Sequence, residues 1–265
     1  MRMRKDTLVK ALIGQTGFVG GSLLRQTHFD DLYHSVNSQA MRGRAYDLVI
    51  CAGAPAAKWI ANREPEKDRS NLEGLMENLR EVTAGRFLLI STVDVYKMPP
   101  PVYEDSPIDP GLLDAYGRHR FYLEAFVRRQ FERAFIVRLP GLFGKGLKKN
   151  FIYDLLHSHA LDWTHRDSVF QFYDLERLWP DLKKVLDGSL PLVNFATEPV
   201  RAADVARISF DMTFDNLPDK PPAFYDMRTR FAGHFGSSGD YLYSAEETFD
   251  RLRRYREQEK TGVTS

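Results

Sequence analysis

The stretch Ala11-Leu-Ile-Gly-Gln-Thr-Gly-Phe-Val-Gly-Gly-Ser-Leu-Leu24 decides the fold. An apolar run leads into glycines at 14, 17 and 20 and then into an amphipathic segment, so the order reads strand, turn, helix. Gly14 permits the tight turn, Gly17 lets backbone approach a pyrophosphate with no Cβ in the way, and Gly20 lets the helix press against the strand. A helix starting near Phe18 would point its N-terminal amides, with about half a positive charge, at the phosphates. The spacing predicts a dinucleotide cradle.

Outward from the cradle, apolar runs and helical periodicity alternate. Leu32 to Val36 has strand character, and Tyr46-Asp-Leu-Val-Ile-Cys51 suits a strand buried on both faces. The link between them is too short for a crossover helix, which predicts a turn or a helical stub over Ser38 to Arg44. Pro65 to Thr83 carries Leu72, Leu75, Met76, Leu79 and Val82 at helical spacing, and Arg86 to Ile90 reads as the next strand. Leu112 to Arg133 is a second long helix, with strands at Ala134 to Leu139 and Pro191 to Asn194. This alternation predicts an α/β fold of Rossmann type, a doubly wound parallel sheet. Residues 1–140 form its dinucleotide-binding core, and residues 141–265 a small substrate-binding portion interleaved with the last strands. Phe151 to His159 reads as helix, Asp215 to Pro222 as a break, and the charged tail from Arg256 as frayed.

With 43% hydrophobic residues in 265, the chain can bury a sizeable core. Its 37 basic and 36 acidic side chains leave a formal charge of +1, so no net field would recruit nucleic acid or an anionic membrane, and the expected partner is a small molecule. A single cysteine, Cys51, fits a reducing cytoplasm. No run of eighteen apolar residues suggests a membrane span, and the seven histidines show no metal-binding pair, so neither membrane nor metal is expected.

Three further motifs follow in order: Leu89-Ile-Ser-Thr-Val-Asp-Val-Tyr96, Tyr116-Gly-Arg-His-Arg120 and Val137-Arg-Leu-Pro-Gly-Leu-Phe-Gly144. With the cradle, they resemble the extended short-chain dehydrogenases/reductases, and more narrowly the NAD-dependent epimerase/dehydratase family, over roughly residues 7 to 210. Asn71 also sits where that family often has an asparagine. The resemblance implies an NAD(P)-dependent oxidoreductase or epimerase acting on a nucleotide sugar or another small hydroxyl or carbonyl substrate. It implies that Gly14, Thr16, Gly17, Phe18 and Val19 wrap the pyrophosphate, that Ala52 and Gly53 lie along the cofactor, and that Leu139, Pro140 and Gly141 back the nicotinamide. Thr92 would bind the reacting oxygen and Tyr116 move its proton.

The family places a lysine four residues after the tyrosine, where this chain has Arg120. A phenol titrates near 10, and work at neutral pH asks for a depression of about 3 units. A cation about 5 Å away supplies roughly 3 kcal/mol toward it at an effective dielectric near 20, so Arg120 is expected to support Tyr116. The substitution leaves a second class open, a nucleotide-binding sensor of the same fold without turnover. In the resembled dehydratases an acid stands where Asp94 is, but Val93 beside it cannot move a proton, which makes dehydration the minor reading.

For cofactor choice, no acid stands at the end of the second strand, which instead leaves through Asn37 and Ser38 with Arg42 and Arg44 close behind. This arrangement favours NADP over NAD. Lys148 and Asn150, together with Asp94, are the candidate substrate-side residues. The segments Glu66 to Thr83 and Leu112 to Arg133 pair across a twofold axis in many members of the resembled family, and Phe121, Tyr122 and Phe126 suggest a homodimer face here.

Overall fold

The computed structural model describes residues 8–97 and 101–262. A six-stranded parallel sheet is built from β1 (Lys10–Ile13), β2 (Asp31–Tyr33), β3 (Leu48–Cys51), β4 (Phe87–Thr92), β5 (Ala134–Leu139) and β6 (Leu192–Asn194), in the order β6-β5-β4-β3-β1-β2. Because β1 has β2 on one side and β3 on the other, both parallel to it, the winding direction reverses there. That reversal opens a crevice beyond the carboxyl end of β1. The expected doubly wound α/β sheet is what the chain forms. The short link after β2 is a 3-10 turn at Ser38–Met41, in keeping with the helical stub.

The helices are α1 (Phe18–Gln26), α2 (Lys58–Arg63), α3 (Pro65–Leu79), α4 (Ala115–Gln130), α5 (Phe151–His157), α6 (Leu178–Asp187), α7 (Ala202–Phe210) and α8 (Ala245–Thr261). The chain divides into two compact units. The first comprises Met1–Lys97, Pro107–Arg138 and Val185–Leu192, and the second Met98–Ser106, Leu139–Lys184 and Val193–Ser265.

In the first unit, Val49 and Cys51 of β3 and Phe87 and Leu89 of β4 pack with Leu72, Met76 and Leu79 of α3 and Leu123, Phe126 and Val127 of α4. Phe126 therefore belongs to the core rather than to an outer face, whereas Tyr122 is exposed. Cys51 is fully buried, and its burial pushes the thiol up to about 11.

A buried ion pair ties α4 to β5 behind the sheet. Glu124 Oε1 accepts from Ser91 Oγ at 2.6 Å and from Arg138 Nε at 2.9 Å, and its Oε2 accepts from Arg138 Nη2 at 2.6 Å. The guanidinium also donates to Tyr96 Oη at 2.5 Å and lies over that ring.

The second unit has its own core of Phe143, Phe151, Ile152, Leu155, Val205, Leu252 and Tyr255. Here the sequence expectation of a frayed tail from Arg256 fails as far as Gly262, and residues 263–265 lie outside the described residues. Ser244 and Glu247 form a capping box, and α8 runs on to Thr261 with Leu252 and Tyr255 buried. Its charged positions form the solvated side of an amphipathic helix.

Candidate dinucleotide cradle and acid–base site

The turn after β1 is built from close backbone contacts. Gly14 has φ +89, and a Cβ on it would lie 2.3 Å from Ala52 O, while a Cβ on Gly20 would lie 2.1 Å from Gly14 O. A side chain at either position would push the strand, the turn and the β3 loop apart. Gly17 differs, because its φ is −78 and a Cβ there would meet only Gly14 O, at 3.3 Å. The scaffold nearly tolerates a side chain at 17, so the fold itself asks little of that glycine.

Gly17 is also the N-cap of α1, with no side-chain cap hydrogen bond and no acidic residue in the first turn. Among the described residues no side chain caps the leading amides of this nine-residue helix. In the same turn, Gln15 Oε1 is buried with no hydrogen-bond partner among the described residues. Gly17→Val should thus give a folded protein that has lost dinucleotide affinity, with calorimetric titration of NADPH as the measurement. Unchanged affinity would mean that the glycine merely turns the chain.

The loop that Gly14 touches leads on to the second cluster. Pro55 O, three residues after Ala52, accepts a hydrogen bond from Arg120 Nη2. Arg120 is 3% exposed and grips Asp68 of α3 with both terminal nitrogens, Nη1 to Oδ2 at 2.5 Å and Nη2 to Oδ1 at 2.8 Å. His119 Nδ1 is 2.8 Å from the same carboxylate. The guanidinium carbon lies 4.0 Å from the centroid of the Tyr116 ring, on its face. Burial pushes the Asp68 carboxyl up, but the hydrogen bonds from Arg120 and His119 outweigh it and leave the group below its usual range.

Tyr116 is held at the start of α4. Asp114 caps the helix by accepting from Gly117 N at 3.0 Å, and Asn62 Oδ1 accepts from Tyr116 N at 2.9 Å. Gly117 lets the helix settle on the turn after β4, since a Cβ there would lie 2.0 Å from Asp94 O. Thr92, the last residue of β4, acts on the phenol from close by, donates to Asp94 Oδ2 at 3.3 Å and accepts from Asp94 N at 3.2 Å. Lys58 Nζ lies 2.5 Å from Asp94 Oδ1 and 3.9 Å from Asp114 Oδ2. Thr92, Tyr116 and Asp94 thus come together.

RMD from Pseudomonas aeruginosa, complexed with NADPH, superposes with a TM-score of 0.74 at 16% identity over 96% of this chain and 100% of that one. A dTDP-4-dehydrorhamnose reductase from Bacillus anthracis, in complex with NADP, gives 0.72 at 17% identity over 94% and 98%. A UDP-N-acetylglucosamine 4-epimerase from Methanobrevibacter ruminantium, in complex with UDP-N-acetylmuramic acid, gives 0.71 at 12% identity over 97% and 99%. The chain has the fold of these proteins. No protein-family model matches the chain, and no curated protein sequence matches it significantly.

Within this fold the remaining expected residues divide by what they touch. Thr16 and Gly17 are exposed at the cradle, with Phe18 and Val19 half-buried at the start of α1 and Ala52 and Gly53 half-buried in the facing loop. Asn37 closes its own turn, donating to Leu32 O at 3.0 Å and accepting from His34 N at 2.7 Å. Ser38 accepts from Asn78 at 3.0 Å, and Arg42 donates to Asn78 Oδ1 at 2.8 Å with Glu81 3.6 Å away. All three already have partners within the protein. Asn71 is exposed on α3.

Leu139, Pro140 and Gly141 open the second unit, where Gly141–Phe143 pairs in parallel with Phe172–Asp174. Asn150 there is a helix cap, its Oδ1 accepting from Ile152 N and Tyr153 N and its Nδ2 donating to Leu142 O. Its side chain is engaged by the fold, and Lys148 is exposed.

One expectation is reversed. Burial pushes the Tyr116 phenol up, Arg120 and Lys58 pull it down, Asp94 opposes them, and the balance lies above the ordinary value of 10. Arg120 pulls in the expected direction, but burial of the ring outweighs it. The sequence reading also missed Lys58 and Asn62. They stand four apart on α2 and so share a face, which is the one visible signal for them.

Proposed function

We propose that this protein is an NAD(P)-dependent oxidoreductase or epimerase acting on a nucleotide sugar or another small carbonyl or hydroxyl substrate. The observation that carries the reading is the α1 N-terminus, uncapped by any side chain among the described residues, above a turn whose Gly17 side is open. In the same unit a hydroxyl pair, Thr92 and Tyr116, stands where a substrate oxygen could be held and protonated. The donor set fits a dinucleotide. Amides at the start of α1, with Gln15 and Thr16, would hold its pyrophosphate. When bound, it would supply or accept the hydride.

Support comes from the neighbours of this fold that are bound to NADPH and NADP, and from the reductase and epimerase activities by which they are named. Asn37, Ser38, Arg42 and Arg44 remain the residues proposed for the adenosine end, with NADP preferred because no carboxylate follows β2. The role of Leu139, Pro140 and Gly141 at the nicotinamide is proposed on the family resemblance.

The test is to mix the protein with NADPH and a panel of nucleotide-linked 4-ketosugars and simple ketones, and to follow absorbance at the nicotinamide band. Product analysis of UDP-sugars covers epimerisation, which leaves that band unchanged. Tight NADPH binding with no conversion of any of them would favour the second reading, a dinucleotide sensor. One observation favours that alternative, the engagement of Arg120 by Asp68.

A further inference from the structure

The groups facing Tyr116 come from its own helix and from two other elements. Arg120 lies over the ring, Thr92 and Asp94 face it from the end of β4, and Lys58 faces it from α2. Behind them stand Asp68 and His119 around the guanidinium, and Asp114 beside Lys58. Arg120, held by Asp68 in a bidentate pair, is the charge that most favours the phenolate. Asp94 is then the group most adverse to the site. Its carboxylate repels a phenolate, and it also competes for the one proton that the Thr92 hydroxyl can donate.

Lys58 is what meets that carboxylate. Its ammonium lies 2.5 Å from Asp94 Oδ1, and its side chain is 42% exposed, so it reaches the pair from the solvent side. Asn62, one turn further along α2, accepts from Tyr116 N and thereby fixes the distance between this helix and the phenol's own. We propose that Lys58 is a positioning residue of the acid–base site, which by neutralising Asp94 favours ionisation of Tyr116 and weakens the hold of that carboxylate on the Thr92 hydroxyl. Its cation enters from α2, outside the Tyr116-to-Arg120 motif. This inference rests on the reading of Tyr116 as the proton-moving group.

The experiment uses the full chain without any ligand. Tyrosinate absorbance is recorded within milliseconds of a jump to alkaline pH, before unfolding, and each protein is compared with the same protein carrying Tyr116→Phe, which isolates Tyr116. Lys58→Met should raise the Tyr116 midpoint by about one to two units, because an uncompensated carboxylate remains beside it. Asp94→Asn should lower it by a similar amount. The double variant should fall between them, and Lys58→Arg should stay within about half a unit of the parent. A merely structural lysine would not move the two single variants in opposite directions.

An unchanged midpoint in Lys58→Met, or shifts of the same sign in both single variants, would overturn the proposal. Lys58→Gln gives the same reading if the methionine variant aggregates. Because no dinucleotide or sugar is present, opposite shifts together with absent turnover would count against the functional reading alone. Unchanged midpoints with turnover intact would remove Lys58 while leaving that reading in place.

Discussion

Glu124→Ala is expected to lower the free energy of unfolding by about 3 to 5 kcal/mol, measured as a fall in the urea midpoint at constant slope. Glu124 is fully buried and Arg138 is 1% exposed. Removing the carboxylate strands the guanidinium with Tyr96 Oη as its one remaining hydrogen-bond partner among the described residues, and takes from Ser91 Oγ its acceptor. The pair itself adds far less than its breakage costs, since bringing both charges out of water offsets most of their attraction. Glu124→Leu combined with Arg138→Met should therefore lose much less than the single variant does. A loss below about 1 kcal/mol in Glu124→Ala would mean that water reaches Arg138, and that the sheet opens there more readily than its packing implies.

Tyr116→Phe should reduce turnover of an identified substrate by about 10² to 10⁴-fold while NADPH affinity stays within about threefold, because only the hydroxyl proton is lost. The direction of the phenol's shift gives this prediction its pH dependence. Burial holds Tyr116 protonated beyond its ordinary value of 10. Carbonyl reduction, which needs the proton in place, should run flat through neutral pH and fall only as the pH rises through the raised value. Alcohol oxidation, which needs the phenolate, should climb with pH over the same alkaline range. A reduction rate that falls through pH 7, or a Tyr116→Phe variant of undiminished activity, would assign the proton to another group.

The glycine spacing was legible because Gly14 and Gly20 answer contacts that nothing larger survives, as the approach of Gly14 to Ala52 O shows, while Gly17 keeps the space above the turn open. The alternation of strands and helices was legible for the same physical reason, since strands buried on both faces leave unbroken apolar runs. Apolar periodicity is silent about what made the site differ from expectation. Asp68 is a buried polar residue on a helix recognised only by its leucines and methionine, so the counter-ion that occupies Arg120 could not be seen. Nor does α2 carry an apolar stripe. Of its six residues only Ala61 is buried, and Trp59 is exposed, so nothing in the pattern announced the helix that brings Lys58 to Asp94. The net rise of the Tyr116 phenol depends on burial, which spacing along a helix does not report. The helical tail, by contrast, was marked by Ser244 and Glu247 three apart, a signal that composition alone concealed.

Cys51 closes β3 one residue before the loop that meets Gly14, fully covered and with its thiol pushed up to about 11. Electrophilic reagents attack thiolates, so in the folded protein this sulfur is shielded twice, by lack of access and by lack of charge. Alkylation then becomes a clock for the parting of the central strands, because the reagent is consumed only by molecules that have opened. The same chemical silence makes the chain a convenient host for fluorescent labelling. A cysteine introduced at an exposed site could carry a dye while the native one stays dark.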